Sequence, residues 1–269
     1  MDKRINKGLK GAITGDIIGS VYERHNIKTK DFPLFSARCS FTDDSVMSCA
    51  VAKAFMNAEE NKTELYGELV RSMQAFGRRY PHAGYGGHFR HWLRDPMPLP
   101  YGSWGNGAPM RCSPAGMVAL SSDEAYALGR ETAKPTHNHR RAMAAAGLTA
   151  SLIWEANHGA SMDRLRTIAE GFYTIPTCGE LRPDYDFDVS SQGTMPAVLA
   201  AFVESSSFED AIRNAISLGG DSDTVAAITG SLAEAYWGIP EEIWGQASGF
   251  LNDDLRMIVD GFYAFANKE

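Results

Sequence analysis

Little in this sequence points toward secretion, membranes or nucleic acid. The four cysteines, Cys39, Cys49, Cys112 and Cys178, form no C-x-x-C pair and keep no regular spacing. That excludes a disulfide framework and favours a reduced, cytoplasmic compartment. Basic residues are in the minority, and a formal net charge of −7 leaves no electrostatic footprint for nucleic acid or an anionic membrane. Long apolar runs are missing too. Met1 to Lys10 is charged, and the apolar stretch after it is short and interrupted by Asp16, so neither a signal peptide nor a membrane span is expected. No segment alternates as a strand, and no Ser/Gly/Pro-rich linker or charge block divides the chain. No repeat of fixed period is present either. The only internal echo is Ala-Ile-Thr-Gly at 12–15 and 227–230.

What the sequence does have is helical period. Apolar residues recur at helical spacing, or Ala and Leu dominate, over 13–22, 45–56, 64–76, 122–133, 140–154, 162–172, 195–202, 208–216, 224–236 and 253–265. Gly238 and Pro240 close one of these segments, and Ser121-Ser122 with Asp123 and Glu124 opens another. An apolar share of 44% is ample for a buried core. The expectation is an all-α chain forming one compact domain over 1–269 and acting as a monomer. Two stretches break the pattern. Residues 81–109 are crowded with Gly, Pro, His and aromatics, and residues 174–196 are polar and irregular. Loops of this length in a compact domain are usually functional or disordered; the aromatic content of the first argues against disorder, and it could cover a planar ligand group.

Two acidic clusters carry the chemistry, Thr42-Asp43-Asp44 and Asp221-Ser222-Asp223-Thr224. Each stands where a loop gives way to a helical pattern. Ser, Thr and Asp at such positions are ordinary caps worth about 1 kcal/mol. One cap satisfies a helix start, however, so the second acid in each cluster is surplus to capping. Flanked by Ser45, Ser222, Gly219 and Gly220, such clusters offer only oxygen donors, which suit Mg²⁺, Mn²⁺ or Ca²⁺ rather than zinc or copper. Glu23 is a fifth candidate ligand, seven residues after Asp16 and thus two turns along one helix face.

The motifs also occur in a familiar order. Gly11-Ala12-x-x-Gly15-Asp16-x-x-Gly19-x-x-x-Glu23 is followed by Thr42-Asp43-Asp44-Ser45, Gly84-Tyr85-Gly86, Gly102-Ser103-Trp104-Gly105-Asn106-Gly107-x-x-Met110-Arg111, Thr136-His137 and Ser217-Leu218-Gly219-Gly220-Asp221-Ser222-Asp223-Thr224. From about residue 8 to 240 the chain resembles the ADP-ribosylglycohydrolases. The resemblance implies an all-α fold holding two Mg²⁺ or Mn²⁺ ions between two helix N-termini. It implies that Thr42, Asp43 and Asp44 bind one ion, that Asp221, Thr224 and Glu23 bind the other, and that Asp223 serves both. It further implies a hydrolase cleaving ADP-ribose from an ADP-ribosylated protein or a small-molecule conjugate, with Asp43 or Asp44 as base and Glu23 as a catalytic or gating ligand. Gly102 to Asn106 would wrap the diphosphate through amides made accessible by Gly102, Gly105 and Gly107. Ser103, Asn106 and His137 would touch phosphate or the distal ribose, and Trp104 the nucleotide. Gly84, Tyr85 and Gly86 would lie near the leaving group.

The acceptor is not set by the resemblance: arginine, serine, O-acetyl and nucleobase linkages are all candidates, with arginine slightly favoured. The run Pro96-Met97-Pro98-Leu99-Pro100 stands where a relative carries an aromatic under the adenine, so that contact is unassigned. Other classes fit less well. A terpenoid-synthase D-D-x-x-D motif would need an acid at Met47, and no His precedes an Asp as an HD-type phosphohydrolase requires. A crystallin-like relative would have no need of intact ligands, and a pure ADP-ribose reader is the remaining alternative.

Overall fold

The computed structural model describes residues 7–268, so most of the charged start of the chain lies outside the described residues. Fifteen helices and no strand are present among them. In order these are α1 (Leu9–Gly19), α2 (Asp43–Asn61), α3 (Leu65–Arg79), α4 (Gly87–Arg94), α5 (Gly107–Met110), α6 (Ser113–Val118), α7 (Ser122–Ala133) and α8 (Arg140–Asn157). Then come α9 (Met162–Glu170), α10 (Cys178–Leu181), α11 (Ser191–Val203), α12 (Phe208–Leu218), α13 (Ser222–Trp237), α14 (Glu241–Ser248) and α15 (Asp253–Ala266). The chain is all-α, and no helix is long and apolar enough to cross a membrane.

Local chemistry explains most of the boundaries. Ser121, Ser161, Ser190, Ser207 and Asn252 each accept a backbone N–H from the first turn of the helix they precede, the usual role of a short polar side chain at a helix start. Helix α13 is buried on nearly every face and packs against α1, α8, α11 and α12. A helix apolar all round belongs at the centre of a fold.

Three departures from the sequence expectations have physical reasons. The stretch 81–109 contains α4, whose Phe89, Trp92 and Leu93 are buried at i, i+3, i+4 spacing; the period is real but only eight residues long amid Gly and Pro. Helix α11 starts at Ser191, not Met195, because the Ser190 hydroxyl accepts from Gly193 N–H and so supports a polar first turn. Helix α1 stops at Gly19. Glu23 therefore lies in the turn beyond it, not two turns along a common face with Asp16.

The crossing of α1 and α13 depends on missing side chains. On α1, Gly11, Gly15 and Gly19 recur every fourth residue. A Cβ at Gly11 would strike the Gly230 carbonyl, one at Gly15 the Ala226 carbonyl, and one at Gly19 the backbone of Ser222 and Asp223. The two Ala-Ile-Thr-Gly segments sit on the helices that make this crossing. At its far end Glu234 of α13 reaches the start of α1, its Oε2 accepting from Gly8 N–H (3.0 Å) and Gly11 N–H (2.6 Å), while Tyr263 donates to Oε1 (2.6 Å).

Replacing Gly15 by Ala should lower stability by about 1–3 kcal/mol, since the added methyl meets backbone on a partner helix. Gly245→Ala, in α14 with open space around it, should instead stabilise by about 0.5–1 kcal/mol. Urea denaturation of the two variants checks both signs.

Candidate metal centre and active site

The first acidic cluster is built at the start of α2. Thr42 caps the helix, its Oγ1 accepting from Asp44 N–H at 3.4 Å, and Asp43 N–H donates to the Ala83 carbonyl (2.7 Å). A side chain from another helix completes the cap. Asp16 of α1, fully buried, accepts from Thr42 N–H (2.9 Å), Thr42 Oγ1–H (2.6 Å), Ser45 N–H (3.1 Å) and the Ser45 hydroxyl. Capping is thus handled by Thr42 and Asp16, and neither Asp43 nor Asp44 is consumed by it.

The second cluster opens α13. Asp221 occupies its N-cap position but makes no side-chain cap bond. Its Oδ2 accepts from the Asn106 side-chain amide at 2.7 Å. The turn before it uses two consecutive glycines in the left-handed region, Gly219 (φ 77°) and Gly220 (φ 71°), where other residues are strained. Asn26 grips this turn from both sides: its Oδ1 accepts from Gly220 N–H (2.7 Å) and its amide donates to the Gly220 carbonyl (3.0 Å). Lys28 donates to the carbonyls of Tyr185 and Leu218 at 2.6 Å each.

The two clusters meet. Thr224 Oγ1 donates to Asp44 Oδ2 at 3.2 Å. Carboxylate oxygens of Asp16, Asp44 and Asp223 lie within 4.8 Å of one another, and so do those of Glu23, Asp221 and Asp223. Among the described residues none of these five acids, nor Asp43, is in an ion pair. Burial, then the charge of Asp16, raises the Asp43 carboxyl to about 7 and pushes Asp44 well above the ordinary range. Asp223 is pushed the same way by burial and then by Asp44. Asp44 Oδ1 is buried with no hydrogen-bond partner. Unpaired buried charge is costly, and a nest of oxygen donors with an orphaned acceptor fits a hard divalent cation.

Above the clusters opens a cavity of about 460 Å³. Of the residues singled out in the sequence, Glu23, Thr42, Asp43, Asp44, Gly84, Gly86, Ser103, Gly105, Asn106, His137, Asp221, Asp223 and Thr224 line it. Three do not. Tyr85 is buried in the core against Phe89; Gly102 stands behind the wall, its N–H donating to Asn138 Oδ1 (2.7 Å); Trp104 is 56% exposed.

The glycine loop differs from the phosphate cradle expected of it. The Gly102 amide is occupied by Asn138, and the Gly105 amide donates to Ser103 Oγ (3.2 Å). Of the three amides, only that of Gly107 has no partner among the described interactions. Both hydrogens of the Asn106 amide are used, on Asp221 Oδ2 and on Thr194 Oγ1 (3.1 Å), so this side chain ties the loop to an acid of the second cluster. The loop is held by backbone bonds to a second segment: Asn106 N–H donates to the Val189 carbonyl (2.8 Å) and Ser191 N–H to the Trp104 carbonyl (3.0 Å), around an isolated bridge between Gly105 and Ser190.

Several residues of the site carried no role in the sequence reading. Asp16, fully buried, entered there only within the first glycine motif and as a reference point for Glu23. Arg111 is the largest fully buried side chain. It donates to the carbonyls of Thr132 (3.2 and 3.1 Å) and Ala133 (3.3 Å) at the end of α7 and to Thr136 Oγ1 (2.8 Å). With its oxygen accepting from Arg111, the Thr136 hydroxyl directs its proton at His137 Nδ1, 2.7 Å away. His137 is thereby set as the tautomer with hydrogen on Nε2. Burial, then Arg111, depresses its pKa well below the ordinary value, so the ring is neutral. Tyr101, Phe187 and Val189 add apolar wall. Asp16, Met110-Arg111 and Thr136 had a signal in the sequence as members of the ordered motifs; Tyr101, Phe187 and Val189 come from stretches without period.

Comparison with known proteins gives one consistent result. The family model described as ADP-ribosylglycohydrolase matches residues 1–268. The "ADP-ribosyl-[dinitrogen reductase] glycohydrolase" of Rhodospirillum rubrum is 29% identical over 70% of this chain, and the match spans only 63% of that protein's length. Mouse "ADP-ribosylhydrolase ARH3" is 24% identical over 92% of this chain and 88% of its own. "ADP-ribosylarginine hydrolase Tri1" of Pseudomonas putida (strain GB-1) is 26% identical over 88% and 71%. A solved structure titled "ADP-ribosylglycohydrolase-related protein complex" superposes with a TM-score of 0.69 over 99% of this chain and all of its own, at 24% identity. That likeness establishes the fold alone.

The Arg111–Thr136–His137 chain has a spectroscopic consequence. Nitrogen-15 correlation spectra should show His137 as neutral Nε2–H imidazole at pH 6; an imidazolium pattern, or hydrogen on Nδ1, would contradict the relay.

Proposed function

The chain belongs to the ADP-ribosylglycohydrolase family, and from that premise we propose that it is a metal-dependent hydrolase cleaving the glycosidic bond between ADP-ribose and an acceptor. The observation that carries the reading is the convergence of two helix-start acid clusters, one with an orphaned buried oxygen, on the floor of a single cavity. We assign Thr42, Asp43 and Asp44 to one Mg²⁺ or Mn²⁺, Asp221, Thr224 and Glu23 to a second, and Asp223 to both. Bound there, the ions would neutralise the carboxylates and supply Lewis acidity toward ribose hydroxyls and water.

The remaining chemistry belongs to the protein. Glycoside cleavage passes through an oxocarbenium-like state: water adds at C1″ as the bond to the acceptor breaks. Asp43 is the base in this reading, because Asp44 Oδ2 is held by Thr224 while Asp43 Oδ1 stands against Gly84 at the cavity wall. Its proton then passes to the leaving nitrogen. Glu23, half-buried in the turn after α1, is the ligand free to swing aside for substrate. Phosphate would meet the hydroxyl proton of Ser103, whose oxygen already accepts from Gly105, and the Nε2–H of His137. Trp104, exposed within the loop, offers a stacking face for the nucleobase.

For the acceptor we infer arginine, on the strength of a relative named for ADP-ribosylarginine hydrolysis. One domain accounts for the chain, because the crossing of α1 and α13 joins its early and late segments and α15 packs on α2.

Turnover of arginine-, serine- and O-acetyl-linked ADP-ribose, each with and without EDTA, tests the reading. Cleavage of the arginine conjugate alone, abolished by EDTA, is expected; cleavage of another linkage would reassign the acceptor, and no product in any lane would leave an ADP-ribose reader. Asp43→Asn and Asp223→Asn should each lose bound Mn²⁺ and at least about 100-fold in turnover, the order expected for a proton-transfer residue, with far-UV circular dichroism unchanged. Full activity in either would end the assignment.

A further inference from the structure

Asp16 has the position of a ligand and the bonding of something else. Its carboxylate stands within 4.8 Å of the Asp44 and Asp223 oxygens, yet four donors already point at it, all from the first turn of α2. Oδ2 takes Thr42 N–H, Ser45 N–H and the Ser45 hydroxyl; Oδ1 takes the Thr42 hydroxyl alone, at 2.6 Å. An ionised carboxylate is acceptor-only, with about two lone-pair directions on each oxygen; three donors saturate Oδ2, and the Thr42 hydroxyl takes one direction on Oδ1. The carboxylate is thereby committed to the start of α2.

We propose that Asp16 is a positioning residue that fixes the proton of the Thr42 hydroxyl on the side away from the acid clusters. A hydroxyl carries one proton and two lone pairs. With its proton committed to Asp16 Oδ1 and one lone pair accepting from Asp44 N–H, Thr42 Oγ1 presents its remaining lone pair, and no proton, to the cavity, where Thr42 borders Asp43 and Asp44. The side chain can then act as a neutral oxygen ligand without rotating. The three bonds to Oδ2 clamp the carboxylate so that Oδ1 cannot turn away. This inference rests on the reading of the clusters as a metal centre.

The test separates the two. Mn²⁺ binding is measured by calorimetry and electron paramagnetic resonance on wild type and on Asp16→Asn, with the melting temperature of each metal-free protein recorded. Asn keeps the shape but places an NH₂ donor in the clamp, which forces the amide to turn or the Thr42 hydroxyl to reverse. Mn²⁺ affinity should fall by about 10–100-fold, as when an outer partner of a metal ligand is removed. Ser45→Ala cuts one Oδ2 bond and leaves the Thr42 link, so it should lower the melting temperature while keeping affinity within about threefold. Thr42→Ser, which retains the hydroxyl and its proton partner, should bind Mn²⁺ nearly as wild type, whereas Thr42→Val should not. Absence of Mn²⁺ binding in wild type would remove the metal centre itself. Binding in wild type with equal affinity in Asp16→Asn would overturn the role of Asp16 alone. A tenfold loss in Ser45→Ala would overturn it too, because rigidity in general would then set affinity. Should Asp16→Asn fail to fold, wild-type affinity in Thr42→Val is sufficient to reject the proposal.

Discussion

The close crossing of α1 and α13 is the constraint on which the rest of the site depends. Glycines at every fourth position of α1 let its backbone touch that of α13, and the last of them, Gly19, lies directly against Ser222 and Asp223. The second acid cluster is thereby located by backbone contact. The same stretch of α1 carries Asp16, which bonds the first turn of α2. A single helix thus registers both acid-bearing helix starts, one through van der Waals contact and the other through four hydrogen bonds.

The arrangement also resolves a competition for oxygen atoms. A helix start must satisfy its free N–H groups, and the cheapest acceptor is its own Asp or Thr. Here the task passes largely to groups from elsewhere: Asp16 for α2, and Glu234 for α1. At α13 the first acid makes no cap bond at all. The acids so released face one another in a buried space, where burial and mutual charge raise their pKa values.

Much of this was legible in the sequence, for identifiable reasons. Helices such as α7 and α12 open with Ser-capped turns and keep a clear period, so their starts at Ser122 and Phe208 could be read directly. The acid clusters could be read because they hold more carboxylate than a cap uses. The failures lie where a residue's role is decided by a distant partner. Nothing near Asn106 announces that its amide is spent on Asp221, 115 positions away. Nor does the glycine pattern reveal that the Gly102 and Gly105 amides are already occupied. Tyr85 sits between two glycines that reach the cavity, and only tertiary packing turns its ring inward. The short α4 was hidden because three apolar residues are too few to establish a period among prolines and glycines.

The bridge between Gly105 and Ser190 divides the site into two parts that differ in their tolerance of side-chain change. The floor is made of the starts of α2 and α13, one held by Asp16 and the other against the backbone of α1, so a change there propagates to the core. The rim is a pair of loops joined to each other by backbone hydrogen bonds, and backbone bonds do not depend on which side chains the loops carry. Trp104, Phe187 and Val189 can be exchanged while the pairing that holds their segments persists. The side chains of the rim can therefore change without disturbing the helix starts that carry the acids.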